Sequence, residues 1–250
     1  VRDKMIRSMM TRSAVVYRHF GELYRQDEDF AENRSSAGDH HKDVFGLDRE
    51  LEFQIREINH TQVVEHINKQ IMPKGKIDID DIDTLHMKSM RFVLPDYTLG
   101  LRHKMEERYG EIGRRSSNVK VGDKAAPLAN VLEPRVRNFT NETDNLLIIE
   151  DNEEFEMQLA EMCGNFLAIH PFADANARTV LLLADVMKHL RSRTPMDNVF
   201  IRSFEDRMAS IFSSSAARER FWEATDEYVE ESTDLNYDTF YNQINHEYRR

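Results

Sequence analysis

The amino-acid sequence predicts an all-α fold with one short β-hairpin. Apolar residues recur every three or four positions along most of the chain, which is the spacing of an amphipathic helix. The 250 residues include only 9 glycines and 6 prolines, too few for a β protein with many tight turns. Residues of high helix propensity, chiefly Glu, Lys, Arg, Met and Leu, are abundant.

The chain divides most naturally near residue 45. Residues 3–26 are predicted to form a helix, and residues 26–43 are a polar connection. We therefore expect an N-terminal helical extension, residues 1–45, with a candidate regulatory role. The main domain is expected over residues 46–250.

The main domain opens with a predicted helix that ends where Pro73-Lys-Gly75 interrupts its apolar stripe. Asp78 is placed to cap the next helix. A further charged helix is expected over residues 97–109. Glycine at both ends and alternating residues near the centre predict an exposed hairpin over residues 113–122.

Helices are predicted through the second half of the chain. Their ranges are 127–146 (with a candidate bend at Pro134), 155–169, 175–190, 203–213, 216–231 and 237–248. Two of them, 155–169 and 175–190, are strongly apolar. They flank the polar segment from His170 to Arg178, which makes that segment the most informative part of the sequence.

Composition excludes several classes of function. A net charge of -11 argues against general binding to the phosphate backbone of DNA or RNA. The single cysteine, Cys163, excludes an internal disulfide framework and fits a reducing compartment. The longest apolar run, residues 180–184, is too short to span a bilayer. We expect no nucleic-acid or membrane partner, and either a cytoplasmic location or a secreted effector acting in a cytoplasm.

The segment His170-Pro-Phe-Ala-Asp-Ala-Asn-Ala-Arg178 carries the groups of an anion site. The first N–H groups of the second helix have no partner inside it, and the helix dipole strengthens their attraction for phosphate. Asp174 is placed to cap that helix or to bind a divalent cation. Arg178 can reach the same phosphates. His170, which closes the preceding helix, is placed to take a proton from a hydroxyl.

The segment resembles the core motif of the Fic family, H-x-F-x-[DE]-G-N-G-R-x-x-R. The matching side chains are His170, Phe172, Asp174, Asn176 and Arg178. Three upstream segments also resemble the family, and the resemblance covers residues 57 to about 228. They are Glu57-Ile-Asn59, Asp81-Ile-Asp-Thr-Leu-His86 and the predicted hairpin.

The resemblance implies the Fic fold and the transfer of a nucleotide-derived group to a protein hydroxyl. It implies that His170 is the base and that Phe172 supports the packing. It also implies that Asp174 is a Mg²⁺ ligand. Phosphate contacts are implied for Asn176, for Arg178 and for the backbone of Ala175 and Ala177. A flap that pairs with an extended segment of the target protein is implied as well. The flap residues are Ser117, Asn118, Val119, Lys120 and Val121.

The sequence departs from the motif at three positions. Ala175 and Ala177 replace glycines, and Leu181 replaces the second arginine, which in the family faces the terminal phosphate of ATP. The added Cβ atoms are expected to hold a phosphate less closely. We also expect each alanine to stabilise the helix start by up to about 1 kcal/mol.

An upstream segment, residues 35–40, resembles the autoinhibitory signature of the family, with Asp39 as the candidate inhibitory residue. In the family this acidic residue pairs with the second arginine. Because Leu181 cannot form that pair, a polar loop is the favoured interpretation.

Three functions stay open on the sequence. The first is a nucleotidyltransferase that moves AMP from ATP, with Mg²⁺, to a Ser, Thr or Tyr hydroxyl. The second keeps the same site and transfers phosphocholine, UMP or phosphate. The third is a catalytically silent Fic-fold interaction module, for which the departures at Ala175, Ala177 and Leu181 argue. His60 and His86 lack metal-ligand spacing to acidic residues, and we interpret both as structural or exposed.

Overall fold

The structure is a computed structural model. It describes residues 49–94, 96–117, 119–121, 124–127, 129–201 and 203–225. The expected extension with Asp39, flap residue Asn118, the expected helix 237–248 and the end of the helix 216–231 therefore lie outside the described residues. The predicted all-α fold is confirmed, with two very short strands between the helices.

The first helix, α1, spans Arg49–His66 and continues through a π-helical turn, Ile67–Ile71, and a last α turn, Met72–Lys74. It ends at Gly75, whose φ of 69° lies in the left-handed region that favours glycine. The predicted break at this point is confirmed.

Helix α2 spans Ile79–Met90, and Asp78 caps it as predicted. The Asp78 carboxylate accepts the backbone N–H groups of Asp80 and Asp81, at 3.1 and 2.9 Å. The Asp81 carboxylate accepts the Asp78 N–H in return at 3.0 Å, completing a capping box. Helix α2 packs against α1 and against a later helix that carries the site.

Helix α3 spans Arg102–Ser116 and is kinked at Gly110, whose φ of 62° and ψ of -141° are not helical. It begins later than predicted, while the predicted end near residue 109 coincides with the kink. Its start is delayed because two buried side chains of α2 accept the preceding N–H groups: Asp83 that of Leu101 at 2.8 Å and His86 that of Gly100 at 3.0 Å. Its end includes Gly113, which the sequence analysis assigned to the hairpin. A Cβ on Gly113 would lie 2.1 Å from the Met105 carbonyl oxygen, so this glycine permits the segment after the kink to pack closely on the segment before it.

Two short antiparallel strands follow, β1 at Lys120–Val121 and β2 at Lys124–Ala125. Lys120 lies opposite Ala125. The expected range of 113–122 for the hairpin is thus shifted toward the C-terminus, since residues 113–116 are helical. Whether the strands dock a target protein stays a prediction.

The remaining helices form the centre of the molecule. They are α4 at Leu132–Leu146, α5 at Asn152–Ile169, α6 at Asn176–Ser192, α7 at Phe204–Ile211 and α8 at 215–225. Pro134 does not end α4, because it lies in the first turn, where its missing N–H is not needed. No helix in the described ranges has the length and apolarity needed to cross a membrane.

The hydrophobic core surrounds α5 and α6, which pack against each other. Helix α4 packs on α5, while α2 and α7 pack on α6. Helix α8 approaches α5 closely: a Cβ on Gly164 would lie 2.3 Å from the Phe221 carbonyl oxygen. The core fixes the relative positions of the end of α5 and the start of α6, and hence the loop between them.

Candidate active site

The loop between α5 and α6 has a non-glycine residue in the left-handed conformation at each end. His170 ends α5 with φ 51° and ψ 57°, and its N–H donates to the Phe166 carbonyl at 3.1 Å. Ala175 precedes α6 with φ 60° and ψ 21°. These two turns bring the predicted base and the N-terminus of α6 to the same loop.

Asn176 closes the loop on itself. Its Oδ1 accepts the Phe172 N–H at 3.0 Å, and its Nδ2 donates to the Phe172 carbonyl at 2.9 Å. The side chain is 3% exposed, so both ends of the amide serve the loop. The predicted phosphate contact of Asn176 therefore falls to its backbone N–H, and it stays a prediction.

His86 supports the loop from α2. Its ring stacks on Phe172 with a centroid distance of 3.9 Å and an interplanar angle of 7°. Its Nδ1 accepts the Gly100 N–H at 3.0 Å, so Nε2 carries the proton and donates to the Asp174 carbonyl at 3.1 Å. Burial lowers the pKa of His86 to about 4, which keeps the ring neutral in this role. The prediction that His86 is structural is confirmed, and the alternative that it is exposed is wrong.

Arg102, at the start of α3, is a supporting residue that the sequence analysis did not identify. It is 1% exposed and donates to three carbonyl groups: Nε to His170 at 2.8 Å, Nη1 to Ser117 at 2.8 Å and Nη2 to Pro127 at 2.9 Å. Burial lowers its pKa to about 9. One guanidinium thus joins the end of α5 to the chain on both sides of the hairpin. No local sequence pattern indicates contacts of this kind.

The flap residues do not share one environment. Ser117 is buried, and its hydroxyl donates to the Arg114 carbonyl at 2.7 Å. It therefore anchors the base of the hairpin, and its expected part in docking stays a prediction. Val119 is partly buried, and its carbonyl accepts the Ala126 N–H at 3.0 Å. A docking role for Val119, Lys120 and Val121 stays a prediction.

The His170 ring is partly buried at the end of α5. Burial, and next the positive charge of Arg102, lower its pKa to about 4. Its Nδ1 is buried, and an interaction with the Leu167 backbone opposes the lowering of the pKa to a smaller extent. A neutral imidazole can accept a proton from a hydroxyl that is brought to it.

Asp174 lies one residue before the N-cap of α6, which is Ala175. One of its oxygens accepts the Ala175 N–H at 2.5 Å. The N-cap role considered for Asp174 therefore belongs to Ala175, which has no side-chain acceptor. The N–H groups of Asn176 and Ala177 lie in the first turn of α6, where an anion is attracted by the helix dipole.

The single carboxylate of Asp174 can hold Mg²⁺ only if phosphate oxygens supply further ligands. Mg²⁺ is typically held by one or two carboxylates plus the phosphates of its substrate. The described residues contain no group of three or more His, Cys, Asp or Glu side chains that could hold a metal. Asp174 is thus a suitable protein ligand for a cation that arrives with a diphosphate.

The expected stabilisation by Ala175 is wrong. Its φ of 60° costs an L-residue roughly 1–2 kcal/mol, whereas glycine adopts it freely. The Cβ offsets part of this cost, because Ala175 packs with Met90, Leu94 and Leu99 in a small apolar cluster. Ala177 is inside α6, where the expectation from helix propensity is untested.

The arginine of the motif and the leucine that replaces the second arginine lie one turn apart on α6. Arg178 is partly buried, with its Nη1 3.8 Å from the Met90 sulfur. Leu181 is 1% exposed and belongs to the core. The position of the second arginine is therefore filled by apolar packing.

Comparison with known proteins agrees with this geometry. A family model described as the Fic/DOC family matches residues 54–187, which is more than half of the chain. The match includes the loop, both helices that flank it up to residue 187, and the supporting residues His86 and Arg102. No match to a curated protein was found.

Proposed function

Because the chain belongs to the Fic/DOC family, we propose that it is a protein nucleotidyltransferase that moves AMP from ATP to a Ser, Thr or Tyr hydroxyl of a target protein. The observation that supports the proposal is that side-chain hydrogen bonds fix the backbone of the loop that joins α5 to α6. Asn176 and His86 hold the loop backbone, while the His170 ring stays neutral.

The proposed reaction is an in-line substitution at the α-phosphorus of ATP. The target oxygen forms a bond to this phosphorus, the bond from phosphorus to the bridging oxygen of the β-phosphate breaks, and pyrophosphate leaves. His170 takes the proton of the attacking hydroxyl. Its low pKa keeps it in the accepting form at neutral pH, and nearby phosphate charge raises its basicity once the donor is bound.

The chain supplies binding and orientation for the diphosphate. The N–H groups of the first turn of α6 donate to its oxygens, and Arg178 adds a positive charge on the same helix. A Mg²⁺ ion held by Asp174 and the donor would neutralise phosphate charge. The hairpin would align the target chain by strand addition along β1.

The test is labelling of protein by ATP that carries the label at the α-phosphate. We expect stable incorporation that is lost in His170→Ala. A matched control is His189→Gln, because His189 lies at the other end of α6, where it interacts with the Thr194 carbonyl. Labelling that survives His170→Ala contradicts the assignment of the base.

The buried Leu181 and the strained Ala175 are the observations that support two alternatives. One is another donor (CDP-choline, UTP or the γ-phosphate of ATP) used by the same loop. The other is a silent interaction module. A panel of donors followed by mass spectrometry of the protein identifies the transferred group directly. If no nucleotide raises the Tm in the presence of Mg²⁺, the silent module is the better description.

A further inference from the structure

A cavity of about 240 Å³ lies beside α6, on the side where Leu181 replaces the arginine of the motif. Residues of α1, α6 and α7 line it, together with the end of α2 and the segment before α7. Arg178 lines it as well. The cavity therefore extends from the arginine that is expected to hold the diphosphate.

Three arginines line the cavity: Arg56 from α1, Arg178 from α6 and Arg207 from α7. None of the described residues that line it is acidic. Arg207 also binds the Asp185 carboxylate at 3.1 Å. Arg56 lies 5.7 Å from the centre of the Phe200 ring. Several positive charges in a concave, partly apolar space attract an anion more strongly than they do on an open surface.

His60 adds a buried polar atom to the same cavity. The residue is 8% exposed, and its Nε2 has no hydrogen-bond partner within the described ranges. Burial, and next the charge of Arg207, lower the pKa of His60 to about 4, so the ring is neutral. A buried polar nitrogen left without a partner is unfavourable by about 1–3 kcal/mol. A ligand that hydrogen-bonds this nitrogen removes that cost.

We infer that this cavity is an anion-binding site for the phosphate group of a small molecule, held by Arg56, Arg178 and Arg207, with a hydrogen bond to His60. Its volume lies below the usual range for sites that enclose a whole drug-sized ligand. A phosphate-sized group therefore fits, whereas a complete nucleotide does not. Arg56 and Arg207 thereby supply the positive charge that Leu181 does not.

Two sources have this chemistry. One is the distal phosphate of the nucleotide donor, in which case the inference rests on the proposed function. The other is a separate phosphate compound, which requires no transfer reaction. The first test therefore uses inorganic phosphate alone, so that its result is independent of whether any group is transferred.

The experiment is calorimetric titration of the full chain with inorganic phosphate at constant ionic strength. We expect saturable binding whose Kd rises about tenfold or more in Arg56→Gln, the loss typical of one charge-assisted hydrogen bond. Arg137→Gln is the matched control, since Arg137 is an exposed arginine of α4 that pairs with Glu133. It is expected to leave the Kd unchanged.

A second variant keeps the test valid if Arg56→Gln folds poorly. Ser89 lines the cavity, and Ser89→Asp leaves every arginine in place while adding a negative charge. It is expected to abolish phosphate binding. Binding that is absent in the wild type, or that is equal in the wild type, Arg56→Gln and Ser89→Asp, overturns the inference.

A comparison of ATP, ADP and AMP then distinguishes the two sources. If Arg56→Gln weakens ATP more than AMP, the cavity holds a distal phosphate of the donor. If it weakens inorganic phosphate but changes the three nucleotides equally, the cavity serves a separate phosphate compound. Failure of the labelling test with intact phosphate binding rejects the proposed function and leaves this site standing.

Discussion

Replacing His86 by phenylalanine tests whether His86 holds the loop between α5 and α6. The test is how the free energy of unfolding of each protein depends on pH. The pKa of His86 falls from 6.5 to about 4 on folding, because the ring is buried. As the pH falls below about 6.5, the unfolded state therefore takes up a proton before the folded state does, and stability is lost. The loss is nearly complete at about pH 4 and ends below it. The structural reason is that a protonated ring cannot accept the Gly100 N–H at Nδ1.

The magnitude follows from the size of the shift. At 1.36 kcal/mol per pKa unit, the wild type loses roughly 3 kcal/mol through this residue, about 40% of it by pH 5.5 and about three quarters of it by pH 4.5. His86→Phe keeps a ring against Phe172 but leaves the Gly100 N–H and the Asp174 carbonyl without their partner. We expect it to cost about 2–4 kcal/mol at pH 7.5.

The assay is urea unfolding of both proteins at pH 7.5, 6.5, 5.5 and 4.5. The difference in the free energy of unfolding is expected to shrink by about 2.5 kcal/mol across this range, since the variant has already lost the titrating group. Phe139→Leu, a core change without a titratable group, controls for general destabilisation and should differ from the wild type by a constant amount. A difference for His86→Phe that stays constant, or widens toward acid, refutes the reasoning.

Four further variants test the packing of the loop and of α5 by urea or thermal unfolding. Arg102→Met removes the donor of three buried carbonyl groups and should cost about 3–5 kcal/mol, and Arg102→Lys should not restore it, because one ammonium cannot reach all three. Ala175→Gly relieves roughly 1–2 kcal/mol of left-handed strain and loses about 0.8 kcal/mol of methyl burial, so a gain of up to about 1 kcal/mol is expected and a loss contradicts the strain argument. Gly164→Ala places a Cβ 2.3 Å from the Phe221 carbonyl oxygen and should cost about 1–3 kcal/mol by separating α5 from α8.

The sequence was sufficient for the parts of the fold that local pattern determines. The ends of α5 and α6 fall close to the predicted ones, because their apolar periodicity stops at the polar segment between them. The cap at Asp78 and the break at Gly75 depend on neighbours within a few residues, and both were predicted correctly. The motif placed His170 and Arg178 on either side of one loop for the same reason.

What the sequence could not supply depends on contacts between distant residues. The start of α3 is delayed by Asp83 and His86, which lie 18 and 14 residues from the N–H groups that they accept. Arg102 reaches His170 across 68 residues. The left-handed φ of Ala175 was missed because propensity treats an alanine beside a helix as helical, whereas the chain must turn sharply there.

Unfavourable backbone conformations and a buried arginine lie at the loop between α5 and α6, and this bears on whether the site is catalytically silent. Two of the four non-glycine residues with positive φ in the described ranges, His170 and Ala175, lie at its ends. Arg102, buried with carbonyl partners only, lies directly behind it. Strain of this kind persists where surrounding bonds enforce it, and it is concentrated at binding and catalytic sites. Ala175→Gly separates the two readings: in an active site it should change donor binding together with stability, whereas in a silent module it should change stability alone.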